Sequence, residues 1–356
     1  MQERIYVCHT FYHIYVTLLK ELNLPKEQRG KAEIVLSKLS TQFGDMGERL
    51  EKSGLFAKVH ELDEKRYDYF PHLHRYREDK RNIVFNLWNR MLFTKKYPKA
   101  LEPFMTIDFK QYRDIYVFCD SDPIGFYLSY KKIPYHALED GLDCLKYLDA
   151  ARYDNRGHFK LKAFLSSLNL IFIQNGYGKY CIDMEINDRD CLKYDCPKYK
   201  VVPRKELELA LEEKDKQKIL EVFVPDAKTL LEKLARAPRE NGFVLLLTQP
   251  LCELTVRERI FKDIIERYCG KAHVVMKPHP RDELDYEILF PECTVISGKF
   301  PIEVLNFLPK VHFDKAISVF TTALDTVDFV DEKLNLGADF MDEYEAPEKH
   351  HFNDKI

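Results

Sequence analysis

Residues 272–282 read AHVVMKPHPRD and residues 243–253 read FVLLLTQPLCE. Each is a short apolar, β-branched run that stops abruptly at prolines and polar side chains. A strand covered on both faces has this character, because neither face can present polar groups. Working outward, CTVI (293–296) and KAISV (315–319) have the same look, and the helix-period stretch TVRERIFKDIIERY (255–268) lies between strands. The first half repeats the habit in RIYVC (4–8), EIVLS (33–37), DIYVFC (114–119) and PYHAL (134–138), with helices expected over 11–22 and 44–53. Strands that alternate with helices form βαβ units and parallel sheets, which places the chain in the α/β class.

The texture changes over residues 204–236, which are dense in Lys, Glu and Leu, and APRENG (237–242) breaks the pattern before the second set of strands. The reading is an N-terminal Rossmann-like domain over 1–200, a helical linker over 201–240, a C-terminal Rossmann-like domain over 241–335 and a tail over 336–356. The acidic, aromatic tail is expected to pack back as a helix or arm. His350 and His351, adjacent to one another, make a poor chelate. Two parallel sheets facing each other would make a cleft, with ligands at the carboxyl ends of the strands.

The 356 residues carry a net charge of −3, which argues against a nucleic-acid partner. The nine cysteines are odd in number and scattered; Cys191 and Cys196 form the one close pair. That pattern fits a reducing cytosol and gives no zinc site. MQERIYVCHTFYH does not read as a signal peptide, and there is no apolar run of membrane-spanning length. The longest apolar segment, FLSSLNLIFI (164–173), could join Lys160 and Lys162 in a basic-apolar membrane contact, or could equally be a buried helix or a dimer face.

The strand-end rule selects the candidate chemistry. After AHVVM, two prolines stiffen a turn that holds His279 between Lys277 and Arg281, with Pro280 beside it; a protonated His279 there could donate to an anionic leaving group. After PYHAL come Glu139, Asp140 and Gly141, a turn able to aim a carboxylate as a proton acceptor. Ser318, Thr321 and Thr322 close KAISV and open a helical stretch, a setting for a phosphate or simply for an N-cap. Glu303 follows Phe300-Pro301 and could take ribose hydroxyls. Thr248, Gln249 and Glu253 follow FVLLL, with Glu253 as an alternative base. Thr10, in the Cys8-to-His13 segment after the first strand, could line an acceptor side. Asp120-Ser121-Asp122 could be a metal-binding pair of acids, but reads better as a turn before Pro123. No GxGxxG or Walker-type loop is present, which excludes the common dinucleotide oxidoreductases and P-loop NTPases.

The ordered set Glu139-Asp140-Gly141, His279-Pro280 and Ser318 with Thr321 and Thr322, together with IYVCHTFYHIYV and TQPL, resembles glycosyltransferase family 52, the lipooligosaccharide sialyltransferases. The resemblance covers nearly the whole chain. It implies a GT-B fold and an inverting, metal-independent single displacement. CMP-sialic acid would be the donor, a galactose-terminated glycan the acceptor, and no cofactor would be needed. It makes His279 the acid on the CMP phosphate, gives the phosphate to Ser318, Thr321 and Thr322, and gives the ribose to Glu303. The base is Glu139 or Asp140 by analogy with related families, or Glu253 within family 52 itself. The resemblance also implies a cytoplasmic homodimer that pairs through residues 155–200, with acceptors often lipid-linked at the inner membrane face. Two other readings stay open: another GT-B nucleotide-sugar or polyol-phosphate transferase of cell-surface polysaccharide synthesis, and a non-catalytic glycan- or nucleotide-binding protein on this scaffold.

Overall fold

The computed structural model describes residues 2–120, 123–141, 145, 157–190, 192, 194–309 and 311–349. Ser121, Asp122, Cys191, His350 and His351 lie outside the described residues, as does part of the 155–200 segment.

The chain divides into two compact units, Met1–Leu211 and Glu212–Ile356. The first holds β1 (Gln2–Cys8), β2 (Ala32–Ser37), β3 (Lys58–Leu62), β4 (Tyr112–Phe118), β5 (Tyr135–Leu138), β6 (Cys181–Ile186) and β7 (Tyr199–Val201). They form one sheet in the order β3-β2-β1-β4-β5-β6-β7, with parallel pairings throughout. The second unit holds β8 (Phe243–Leu247), β9 (His273–Lys277), β10 (Thr294–Val295), β11 (Phe313–Ser318) and β12 (Val330–Asn335), ordered β10-β9-β8-β11-β12 and again parallel. Both sheets are doubly wound. The strand order reverses between β1 and β4 in the first and between β8 and β11 in the second, and a crevice opens at such a reversal.

Burial explains which strands the sequence announces. β2 and β8 are buried along their whole length, so every position is free of charge or has its charge paired inside. β3 (KVHEL) and β12 (VDEKLN) are sheet edges with exposed, charged positions, the usual protection against edge-to-edge pairing.

Helix α1 (Phe11–Leu22) starts at Thr10, whose hydroxyl accepts from the His13 N–H at 3.2 Å. It is fastened to β1 where Arg4 meets the Glu21 carboxylate through two nitrogens, each at 3.0 Å. Next come α2 (Met46–Ser53), α3 (Ile83–Leu101), α4 (Ile124–Lys131) and α5 (Phe159–Ser167). The 164–173 run is split: Phe164 and Leu168 are exposed, while Ile171, Phe172 and Ile173 lie in the core. The charged 204–236 stretch becomes α6 (Arg204–Leu209) at the end of the first unit, then α7 (Glu213–Phe223) and α8 (Ala227–Arg236) in the second. Helix α9 (Leu254–Ile264) ends in a π turn over Ile265–Cys269. The tail does fold back: Phe340 and Met341 enter the core of the second unit, and the Tyr344 hydroxyl donates to Asp263 at 2.6 Å.

Candidate functional site

In the second unit the segments after β8, β9, β10 and β11 carry the selected residues. At the β9 loop, the Arg281 N–H donates to Nδ1 of His279 at 3.1 Å. The imidazole proton is therefore on Nε2. Burial above all, then the cations Arg281 and Lys277, pushes the His279 pKa down to about 4. The side chain is neutral near pH 7, in place of the protonated form anticipated from its basic neighbours, because burial disfavours the charged ring and those neighbours add repulsion.

A buried polar network holds this loop. The Thr248 hydroxyl accepts from the His279 N–H at 3.1 Å and donates to Asp282 at 3.0 Å. Asp282 also accepts from Arg257 and from the Tyr286 hydroxyl, both at 2.6 Å. Arg257 reaches on to the carbonyls of Leu251 and Cys252 at 2.6 and 3.0 Å, so one guanidinium braces the β8 loop against the β9 loop. Gln249 accepts from the Phe320 N–H at 2.7 Å and ties the β8 loop to the β11 loop across the switch point. Gly298 presses on the same turn: a Cβ there would lie 2.8 Å from the Pro278 carbonyl oxygen.

The remaining second-unit candidates divide by exposure. Lys277 is buried, donates to the Phe300 carbonyl at 2.8 Å and lies 4.3 Å over the Phe300 ring. Its burial pushes its pKa down to about 7, opposed by Glu303. It therefore braces the 300-loop rather than reaching solvent. Ser318 is fully buried and its hydroxyl has no partner among the described residues. Glu303 is buried and accepts from the Thr326 hydroxyl at 3.0 Å. The helical stretch after β11 is a five-residue 3₁₀ turn, Thr322–Thr326, capped by Thr321, which accepts from the Ala323 N–H at 3.1 Å. Pro280, Arg281 and Glu253 are exposed, with Glu253 at the N-cap position of α9 and making no capping bond.

In the first unit, Asp140 and Glu139 have opposite environments. Glu139 is buried, accepts from the Asn187 N–H, and is pushed by burial to a pKa of about 7. The Asp140 side chain is 43% exposed and is held from behind by Nε2 of the buried His13. His13 stacks on Phe118 at 3.9 Å, and its Nδ1 accepts from the His9 N–H at 3.0 Å, so Nε2 carries the proton given to Asp140. Gly141 follows at φ +140, open to glycine and strained for other residues. His9 in turn meets Glu64 at 2.7 Å. His9 and His13 stand one helical turn apart in CHTFYH, a spacing visible in the sequence, yet only the fold shows that they back an acid 127 residues away.

Asp120 is fully buried and accepts from the Tyr135 hydroxyl at 2.7 Å and from the N–H groups of Asn175 and Gly176. It anchors a turn, and a Cβ on Gly125 would stand 1.9 Å from its carbonyl oxygen. Among the described residues no group of three or more His, Cys, Asp and Glu side chains is placed to hold a metal.

Two doubly wound parallel units, with polar side chains gathered at strand carboxyl ends, are the GT-B architecture of glycosyltransferases. The α/β-galactoside α2,3-sialyltransferase of Photobacterium phosphoreum superposes with a TM-score of 0.55 at 12% identity, over 93% of this chain and 89% of that one. The GT-B domain of the Photobacterium damselae sialyltransferase gives 0.54 at 13% identity, over 93% and 90%. The chain belongs to glycosyltransferase family 52, whose family model matches residues 62–336. An uncharacterised protein of Haemophilus influenzae is 35% identical over 159 residues, which span 42% of this chain and 48% of that protein, about half its length.

Proposed function

We propose that the chain transfers sialic acid from CMP-sialic acid to a galactose-terminated glycan, with inversion and without a metal. The observation that carries this reading is the His279 tautomer: a neutral imidazole with its proton on Nε2, at a strand carboxyl end, in a chain of family 52. The anomeric carbon of sialic acid is tertiary and bears a carboxylate, so departure of the leaving group dominates the barrier. The bond from that carbon to the phosphate oxygen breaks, and its electron pair leaves with CMP. A phosphate monoester has a second pKa of about 6, so CMP can depart near neutral pH without taking a full proton. A preorganised Nε2–H donor that strengthens as charge develops on the oxygen is enough, and repulsion from an imidazolium is avoided inside the cationic loop. Arg281 adds exposed positive charge, and Thr321 adds a hydroxyl at the β11 end.

The acceptor hydroxyl forms the new bond and gives its proton to a carboxylate. Asp140 suits this role because it is exposed and its partner His13 donates to it, which favours the ionised form. Glu253 is the alternative within the second unit, and Glu139 is the weaker one because burial favours its protonated state. Turnover of CMP-sialic acid with a panel of galactosides, measured for the wild type and for His279→Ala, tests the proposal. Transfer by the wild type that falls by about 10²–10⁴ in the variant supports it. Equal turnover in the two removes His279 from the mechanism, and transfer from a UDP-sugar instead would replace the donor.

A further inference from the structure

We infer that Glu64 is a positioning residue for the Asp140 carboxylate: it holds a positively charged His9 ring beside His13, and so keeps the His13 ring neutral with its single proton directed at Asp140. The inference rests on the reading of Asp140 as the group that takes the acceptor's proton.

The first ground is the way His9 is held. His9 follows β1, Ser37 ends β2 and Glu64 stands two residues beyond β3, so three neighbouring strands deliver them to one carboxyl edge of the sheet. Nε2 of His9 meets Glu64 at 2.7 Å, and the Ser37 hydroxyl donates to the same carboxylate oxygen. The His9 carbonyl accepts from the Ser40 hydroxyl at 3.1 Å. The Glu64 side chain is fully buried and that of His9 is 7% exposed. Nδ1 of His9 finds no partner among the described residues, so Glu64 is the hydrogen-bond partner that turns the ring. A carboxylate removed from water needs a charged partner, and an imidazolium at this distance supplies one.

The second ground is the coupling of the two histidines. They stand one helical turn apart, and their rings meet edge to face with centroids 5.9 Å apart. The His9 N–H donates to Nδ1 of His13 at 3.0 Å. A neutral imidazole can accept there, but in an imidazolium both nitrogens are donors. The contact therefore requires a neutral His13, and a positive His9 ring this close disfavours a second charge. The charged groups that act on His9 are Glu64, Asp140 and Arg66; those that act on His13 are Asp140 and His9. Burial opposes a charge on either ring. At His9 the carboxylates outweigh burial and its pKa lies above the ordinary value. At His13 burial prevails, with repulsion from His9 added, and its pKa lies below.

The third ground is that Asp140 is held twice. Its backbone N–H donates to Sγ of Cys119 at 3.3 Å, whereas its carboxylate is held by His13. A change at His9 or Glu64 thus reaches the carboxylate through the His13 ring while the Cys119 contact keeps the turn in place. A His–Glu pair that served packing alone would have no bearing on the His13 proton. Here His9 gives that ring both its backbone donor and its neighbouring charge.

Histidine NMR of the intact chain reads both rings without turnover. In the wild type the His9 midpoint should lie above 6.5 and the His13 midpoint below it, with His13 in the Nε2–H tautomer. Glu64→Gln leaves a hydrogen-bonding group beside His9 but removes the charge. It should lower the His9 midpoint and raise that of His13. A protonated His13 loses the His9 contact and makes Asp140 a weaker base, so kcat should fall about tenfold on the acidic side of the pH–rate profile and little above neutrality, with KM for the donor unchanged. Ser37→Ala, a milder change at the same carboxylate, should move both midpoints in the same directions by less, and serves if Glu64→Gln does not fold. The reverse order of midpoints in the wild type overturns the inference. So does a His13 midpoint that stays in place in both variants, and so does a loss of kcat that is equal at every pH, which marks a structural role. The midpoints are independent of the donor, so failure here is distinct from failure of the CMP-sialic acid reading.

Discussion

The backbone N–H of Arg281 meets Nδ1 of His279 at 3.1 Å, and this contact decides which proton the imidazole can offer. With Nδ1 occupied as an acceptor, Nε2 is the donor, and burial with the neighbouring cations holds the pKa at about 4. Histidine NMR of the nucleotide-free protein should show a neutral Nε2–H tautomer throughout pH 5.5–8 and a midpoint well below the ordinary 6.5. Addition of CMP brings negative charge to the ring and should raise that midpoint. A midpoint at or above 6.5 without nucleotide contradicts the assignment.

His13 is a positioning residue for Asp140. Its ring is fixed by the Phe118 stack and by the His9 N–H, and its Nε2–H donates to the Asp140 carboxylate and holds it in place. His13→Ala should lower kcat by about tenfold to a hundredfold and move the acidic limb of the pH–rate profile upward, with little change in KM for the donor. His13→Gln, whose amide can still donate, should recover part of the loss. A profile that does not move in His13→Ala would leave the residue a purely structural role.

Arg257 and Asp282 form a buried pair with side chains 7% and 0% exposed, at 2.6 Å. Removing one partner strands the other charge inside the fold. Asp282→Ala is expected to cost about 3–5 kcal/mol in denaturant unfolding and to abolish stabilisation by CMP, because the His279 loop loses its brace. The double variant Arg257→Met with Asp282→Leu should recover much of the stability without the nucleotide response. Nucleotide binding that survives in Asp282→Ala contradicts the bracing role.

Glu139 gives a stability prediction with a definite sign. Its pKa rises from an ordinary 4.5 to about 7 through burial, so the folded state keeps a proton that the unfolded state releases between those values. Its contribution is fully present below pH 4.5 and is lost as pH rises through 7. Glu139→Gln keeps an acceptor for the Asn187 N–H and carries no charge to bury. The variant should match the wild type in Tm at pH 5 and exceed it at pH 8.5. A Tm advantage that is larger at pH 5 would reverse the assignment.

The sequence carried the buried strands well, because FVLLL is wholly apolar and EIVLS carries one charge, Glu33, which is buried and paired with His60 and Tyr112. It did not carry β3 and β12, whose edge positions demand the polar residues that hide a strand from an apolar reading. Helix α3 escaped for a related reason: its outer face is apolar at one end, so no clean alternation of polar and apolar faces marks it, and Pro98 lies inside it. The strand-end rule found the loops of Thr248 and His279. The pairs that set their chemistry join residues 25 apart in Arg257–Asp282 and 127 apart in His13–Asp140, distances over which local periodicity carries no information.

The proposed role of the His279 loop is to serve a cytidine monophosphate leaving group. Thermal unfolding of the intact chain with CMP, CDP, UDP, GDP and ADP, each with and without EDTA, tests it most directly. A rise in Tm with CMP that EDTA leaves unchanged and that His279→Ala diminishes is expected. Selective stabilisation by UDP or another nucleotide, or by CMP only when a divalent metal is present, would contradict it.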